Sequence, residues 1–125
     1  MPNRNLHRTY TILGCVLLIA IAGLHGSGLG YVKGLVDTSD LTDFVKSIFP
    51  VLFAHPSLQL LGLAALGLLS LRMKNDFPIV RRFIGAMVLV DVVLAAYLSA
   101  WIPGVILLIV SLLFLLASQR GAIPE

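Results

Sequence analysis

Apolar positions in this chain come in long runs separated by short polar connections. Four stretches, at about 9–25, 54–72, 83–101 and 103–118, are almost continuously hydrophobic. Each has the length with which an α-helix, rising ~1.5 Å per residue, crosses ~30 Å of hydrocarbon. The last two are parted only by the turn around Trp101-Ile102-Pro103-Gly104. Pro103 suits the first turn of a new helix, so these stretches are expected to form a tight antiparallel hairpin.

The longest connection, roughly 26–53, has a different pattern. In SDLTDFVKSIF at 39–49, Leu41, Phe44, Val45, Ile48 and Phe49 fall on one helical face, and Asp43, Lys46 and Ser47 fall opposite. Ser39 or Asp40 is placed to cap this helix. Pro50 is expected to end it and His55-Pro56 to restart the chain as the second span, because proline fits a helix start and disfavours helix in the preceding residue. Upstream, HGSGLGYVKG at 25–34 has four glycines without the spacing or preceding strand of a nucleotide fingerprint, and is expected to be a flexible exit from the first span. The expected fold is all-α: one domain, 1–125, an integral membrane four-helix antiparallel bundle with a short amphipathic interfacial helix between helices 1 and 2.

Composition agrees. Of 125 residues 58% are hydrophobic and 12% charged, and the mean hydropathy is +0.99, far more apolar than soluble domains. The net charge of +3 and pI near 9.4 do not point to nucleic acid, because the basic residues stand beside the apolar runs, where they report orientation. Arg4 and Arg8 precede the first span, Arg72, Lys74, Arg81 and Arg82 fill the second connection, and Arg120 follows the fourth. Asp37, Asp40 and Asp43 stand against Lys33 and Lys46 in the first connection, and the third has no charge. The expectation is a multi-pass protein of a bacterial-type inner membrane, both termini cytoplasmic, with Trp101 at the outer interface. A competing reading takes Arg4 and Arg8, CVLLIAIAG and Ala20-Ile21-Ala22 as a secretory signal with an A-x-A cleavage site, which would leave three spans. The single cysteine, Cys15, permits no intramolecular disulfide.

One carboxylate interrupts the third span, Asp91 in MVLVDVVLAAY. An aspartate at a helix centre opposes insertion by ~2.5–3.5 kcal/mol, so it is expected to face the bundle interior, protonated or paired. Counting depth from the span ends places Gln59 and Ser111 within a turn of its level, with a protonated Asp91 donating to one of them. Such an acid either carries a proton or binds a cationic substrate, or it fastens helices together by a hydrogen bond.

His25 ends the first span and His55 opens the second, an arrangement that suits haem or a transition metal held between facing helices, or a quinone. Against it stand the absence of CxxCH and of His-x-x-x-His, and no metal set or catalytic constellation is legible. In length and span number the chain resembles the small multidrug-resistance transporters, compact four-helix proton exchangers, and more loosely the DoxX-like small membrane proteins. The first family carries its essential glutamate in the first span, where this chain has no acid.

Three functions are expected in turn. The first is a non-enzymatic accessory or structural subunit without a cofactor, partnered by the bilayer and by another membrane protein or a second copy through Leu41, Phe44 and Ile48. The second is a small proton-coupled transporter or carrier centred on Asp91. The third is a haem- or quinone-binding redox protein using His25 and His55.

Overall fold

Within an apolar run, helix satisfies every backbone N–H and C=O locally, and these runs, rich in leucine and alanine, have turn signals mainly at their ends. The computed structural model describes residues 4–73 and 77–119, the side chains of Arg4 and Phe77 excepted. Among the described residues there are five helices and no strand: α1 (Arg4–Ser27), α2 (Leu29–Asp37), α3 (Asp43–Ser70), α4 (Phe77–Tyr97) and α5 (Trp101–Ala117). Four of them, α1, α3, α4 and α5, run alternately up and down. α1 packs on α3 and α5, α5 packs on α4, and α3 meets α4 only sparingly.

The junction of α1, α3 and α5 is closed by one aromatic ring. Phe114 of α5 is fully buried, as are Cys15 and Leu18 of α1 and Val110 of α5. A Cβ at Gly67 would stand 2.6 Å from Cys15 Sγ and 3.1 Å from Phe114 Cε1, and one at Gly14 would stand 2.7 Å from Phe114 Cε2. Two glycines on facing helices thus make the slot that the ring fills, since a position without a Cβ permits so close an approach. Gly62, one and a half turns before Gly67, has nothing near its missing Cβ.

Several boundaries differ from the expectations. The glycine-rich exit from the first span is not a flexible link: residues 29–37 form α2, which packs on α3 through the buried Val36. Its Lys33 pairs with Asp37 one turn on, and Lys46 Nζ donates to the Asp37 carbonyl at 3.3 Å. Nor is 39–49 a separate amphipathic helix. Residues 43–70 are one helix, capped by Thr42, whose Oγ1 accepts from the Val45 N–H at 3.5 Å, rather than by Ser39 or Asp40. Pro50 and Pro56 lie inside it. Each proline removes one N–H and crowds the carbonyl four residues back, at a cost of ~3 kcal/mol. Ending the helix would free several backbone polar groups instead of one. Three residues before Pro56, His25 Nε2 of α1 donates to the Phe53 carbonyl at 2.9 Å.

The hairpin turn comes earlier than expected. α4 ends at Tyr97, and Ser99 takes a positive φ of 57°. The Ala100 N–H bonds the Ala95 carbonyl at 2.8 Å and the Ser99 N–H bonds the Ala96 carbonyl at 3.0 Å, the paired bonds of a Schellman stop. Glycine is the residue that this position favours, since a side chain there costs ~1–2 kcal/mol. Ser99→Gly is therefore expected to raise the unfolding free energy in micelles by about 1 kcal/mol, less the entropy that glycine adds to the unfolded chain. A lower midpoint would mean that the serine side chain contributes more than its backbone geometry costs.

Arg8, Arg72, Arg81 and Arg82 gather where α1 and α4 begin and α3 and α5 finish, whereas Lys33, Lys46, Asp37, Asp40 and Asp43 lie at the opposite end. Lys74 and Arg120, counted with the basic residues above, lie outside the described residues.

Candidate functional site

The sparse contact between α3 and α4 leaves a cleft of about 470 Å³, walled by all four bundle helices at the end remote from the arginines. α1 contributes Ile21, Leu24 and His25, α3 contributes Pro56 and Leu60, α4 contributes Asp91 and Leu94, the turn after it contributes Leu98, and α5 contributes Ile102, Ile106 and Leu107. The lining is apolar except for His25 and Asp91. The prolines shape it as well, Pro56 from within α3 and Pro103 from the first turn of α5.

Asp91 is half-buried and lies six residues before the end of α4, about 9 Å along the axis. Because α4 stops at Tyr97 and not at 101, the acid stands nearer the end of its helix than a count over 83–101 implies. Gln59 of α3 reaches across the α3–α4 gap, its Nε2 at 3.3 and 3.4 Å from the two carboxylate oxygens. The amide donates and the acid accepts, the reverse of the expected sense.

Ser111 does not join them. It is fully buried and donates to the Gly85 carbonyl at 2.8 Å, six residues before Asp91 on α4. The shifted turn is the reason: Gly104 packs against Ala95, and Leu115 and Ser111 pack against Gly85, so the level of Asp91 on α5 falls near Leu107. A hairpin turning three residues later would have brought the region of Ser111 opposite the acid.

The two histidines are not brought together either. The His25 ring stacks on Phe53 with centroids 4.4 Å apart, and its Nε2 donates to the Phe53 carbonyl. A carbonyl only accepts, so Nε2 carries the proton and is not free to ligate in this arrangement. His55, two residues beyond Phe53, points about 200° round the helix from it and is exposed. Tyr31, in the connection that follows α1, is exposed on α2. Among the described residues no group of three or more His, Cys, Asp or Glu side chains is placed to hold a metal ion.

Leu41, Phe44 and Ile48 are exposed, Leu41 ahead of α3 and the other two one turn apart on it. They share that exposure with apolar side chains around the whole bundle, Val16, Leu58, Val93 and Ile109 among them. Nothing sets the 41–48 face apart from the rest of that surface.

A second polar cluster, whose charges in the sequence mark orientation, lies at the basic end. Arg81 is buried, its Nε donating to Ser70 Oγ at 3.3 Å and its Nη1 to the Ala117 carbonyl at 3.1 Å, so that it ties the ends of α3 and α5 to α4. Its neighbour Arg82 is exposed. The available signal was phase: in α4, Arg81 shares a helical stripe with the buried Ile84 and Val88, whereas Arg82 does not.

By length and composition two helical stretches of the described chain are long and apolar enough to cross a membrane, Asn5–Asp37 and Asp43–Ser70, and α5 is a shorter apolar helix. Compared with protein-family models, with curated proteins and with solved structures, the chain matches none.

Proposed function

We propose that this chain is a four-span integral membrane protein with both termini on the cytoplasmic side, and that it acts without covalent chemistry, as a carrier or holder of a cationic amphiphile in the cleft beside Asp91. Insertion is supported by where the apolar surface lies. Only 28% of each of the two candidate spans is buried inside the bundle, whereas the core helix of a soluble protein would be mostly buried. Monomeric soluble proteins rarely expose contiguous apolar patches beyond a few hundred Å², and here such side chains cover all sides of the bundle. Orientation is supported by the arginines at one end and the exposed Tyr97 and Trp101 at the other.

The observation that carries the ligand class is the carboxylate in a cleft otherwise apolar but for His25, whose Nε2 is taken up by the Phe53 carbonyl. Gln59 supplies a donor but no charge, and no lysine or arginine is among the residues lining the cleft. An acid in such surroundings is completed by a proton or by a cation. A molecule with an ammonium head and an apolar body satisfies Asp91 and the leucine and isoleucine walls together. The cleft volume falls within the range of small-molecule sites, ~300–1,000 Å³.

The test is saturable binding of a fluorescent long-chain quaternary ammonium probe to protein in lipid nanodiscs, beside the same chain ending in an alcohol. Asp91→Asn keeps the shape and an oxygen for Gln59 while removing the charge. It is expected to weaken the ammonium probe about tenfold or more, the worth of a charge-assisted contact, and to leave the alcohol unchanged. Equal affinity of wild type and Asp91→Asn for the ammonium probe overturns the reading.

A further inference from the structure

A second cavity, also of about 470 Å³, opens at the basic end of the bundle, bounded by Asn5, His7 and Arg8 of α1, Ser70 at the end of α3, Leu71 and Met73 beyond it, and Arg81 of α4. We infer that it is a binding site for the phosphate-ester headgroup of an anionic phospholipid. Two arginines line it, and among the described residues no acid does. Arg81 is only 4% exposed and is held in place by its bonds to Ser70 Oγ and the Ala117 carbonyl. This fixes a positive charge at the cavity wall, and Arg8 adds a second guanidinium, a planar group that matches phosphate oxygens in charge and in hydrogen-bonding geometry. His7 Nδ1, on the same wall, is buried and has no hydrogen-bond partner among the described residues, a polar atom of the kind that a ligand completes.

Size and lining separate an ester from a bare anion. The volume is that of a site for a molecule of some tens of atoms, and Leu71 and Met73 give it an apolar side on which the glycerol and the start of an acyl chain can rest. Basic pockets between helix ends on the cytoplasmic side of membrane proteins take anionic headgroups for these reasons. The inference rests on insertion in the proposed orientation and is independent of what the outer cleft binds.

Retention of lipid by the purified protein in neutral detergent, read by native mass spectrometry, tests it, with phosphatidylglycerol against phosphatidylcholine and with inorganic phosphate as competitor. Phosphatidylglycerol is expected to bind at least tenfold more tightly than phosphatidylcholine, and Arg8→Gln to remove about tenfold of that preference. Arg82→Gln, which changes an exposed arginine outside the cavity, is expected to leave it within twofold. Arg81→Gln is expected to match Arg8→Gln, but Arg81 also fastens α5, so Arg8 carries the test. Displacement of the lipid by millimolar inorganic phosphate, lost in Arg8→Gln, identifies the same oxyanion site with the free ion as its source. Equal retention of the two lipids with no effect of phosphate overturns the inference, and so does an equal loss in Arg8→Gln and Arg82→Gln, which is the mark of diffuse surface charge. The ammonium-probe measurement at the outer cleft is untouched by either result.

Discussion

Phe114→Ala is expected to lower the unfolding free energy in micelles by about 3 kcal/mol, the lower end of the ~3–5 kcal/mol that truncating a buried phenylalanine costs in soluble cores. The ring is fully buried where α1, α3 and α5 meet, and the positions facing it are glycines. No neighbouring side chain from Gly14 or Gly67 can swing into the vacated space, so the cavity stays open and the ring's dispersion contacts are lost without replacement. The lower end follows from the proposed insertion, since lipid tails are as apolar as the core and packing, not transfer from water, then holds the helices together. Leu112→Ala, on the exposed side of the same helix, is expected to change stability by no more than ~0.5 kcal/mol. Equal losses from the two variants, by heat or by titration with SDS, would mean that Phe114 does not close the junction.

The second large effect has the opposite steric cause. Gly67→Ala places a methyl group 2.6 Å from Cys15 Sγ and 3.1 Å from the Phe114 ring, and is expected to cost ~1–3 kcal/mol by forcing α1 and α3 apart. Gly62→Ala, five residues earlier on the same helix, meets nothing within 4 Å. It is expected to be neutral or to stabilise by up to ~1 kcal/mol, since alanine is the better helix former. Truncating the ring makes room for the methyl, so Gly67→Ala combined with Phe114→Ala is expected to lose less than the sum of the two. Strict additivity of the pair, or a loss at Gly62 as large as at Gly67, contradicts the close approach of α1 to α3.

The helices were the most legible part of the chain, and their ends the least. Residues 9–25, 83–97 and 103–117 lie in α1, α4 and α5 much as the apolar runs indicate. Misplaced boundaries occurred where a local rule met a tertiary one. Proline rules divide 43–70 into two elements, but one helix runs through both prolines, because each frees a single carbonyl whereas an interruption would free several backbone groups. The glycines at 26–34 read as flexible because glycine lowers helix propensity, yet α2 forms, with Val36 buried and its face packed on α3. A three-residue shift in one turn, set by Ser99 in a conformation that usually selects glycine, was enough to exchange Ser111 for Leu107 opposite Asp91.

The candidate site was legible only in part for the same reason. Gln59 and Asp91 meet across α3 and α4 within one turn of the level that counting residues from the span ends gives, because depth along a helix is linear in residue number. Rotation about the axis is not fixed by counting between separate helices. It decided that His25 faces Phe53 and the cleft while His55 faces outward, and that Arg81 turns in while Arg82 turns out.

By itself the sequence determined the kind of structure: apolar runs too long to be anything but helix, with arginines gathered at one end, because backbone satisfaction and charge placement act on each segment separately. The tertiary structure alone decided which helices touch. Gly14 and Gly67 admit Phe114 and draw α1, α3 and α5 together, whereas no such slot joins α3 to α4, and the cleft beside Asp91 is the space left over. Close packing depends on the shapes of surfaces distant in the chain, which hydropathy does not record.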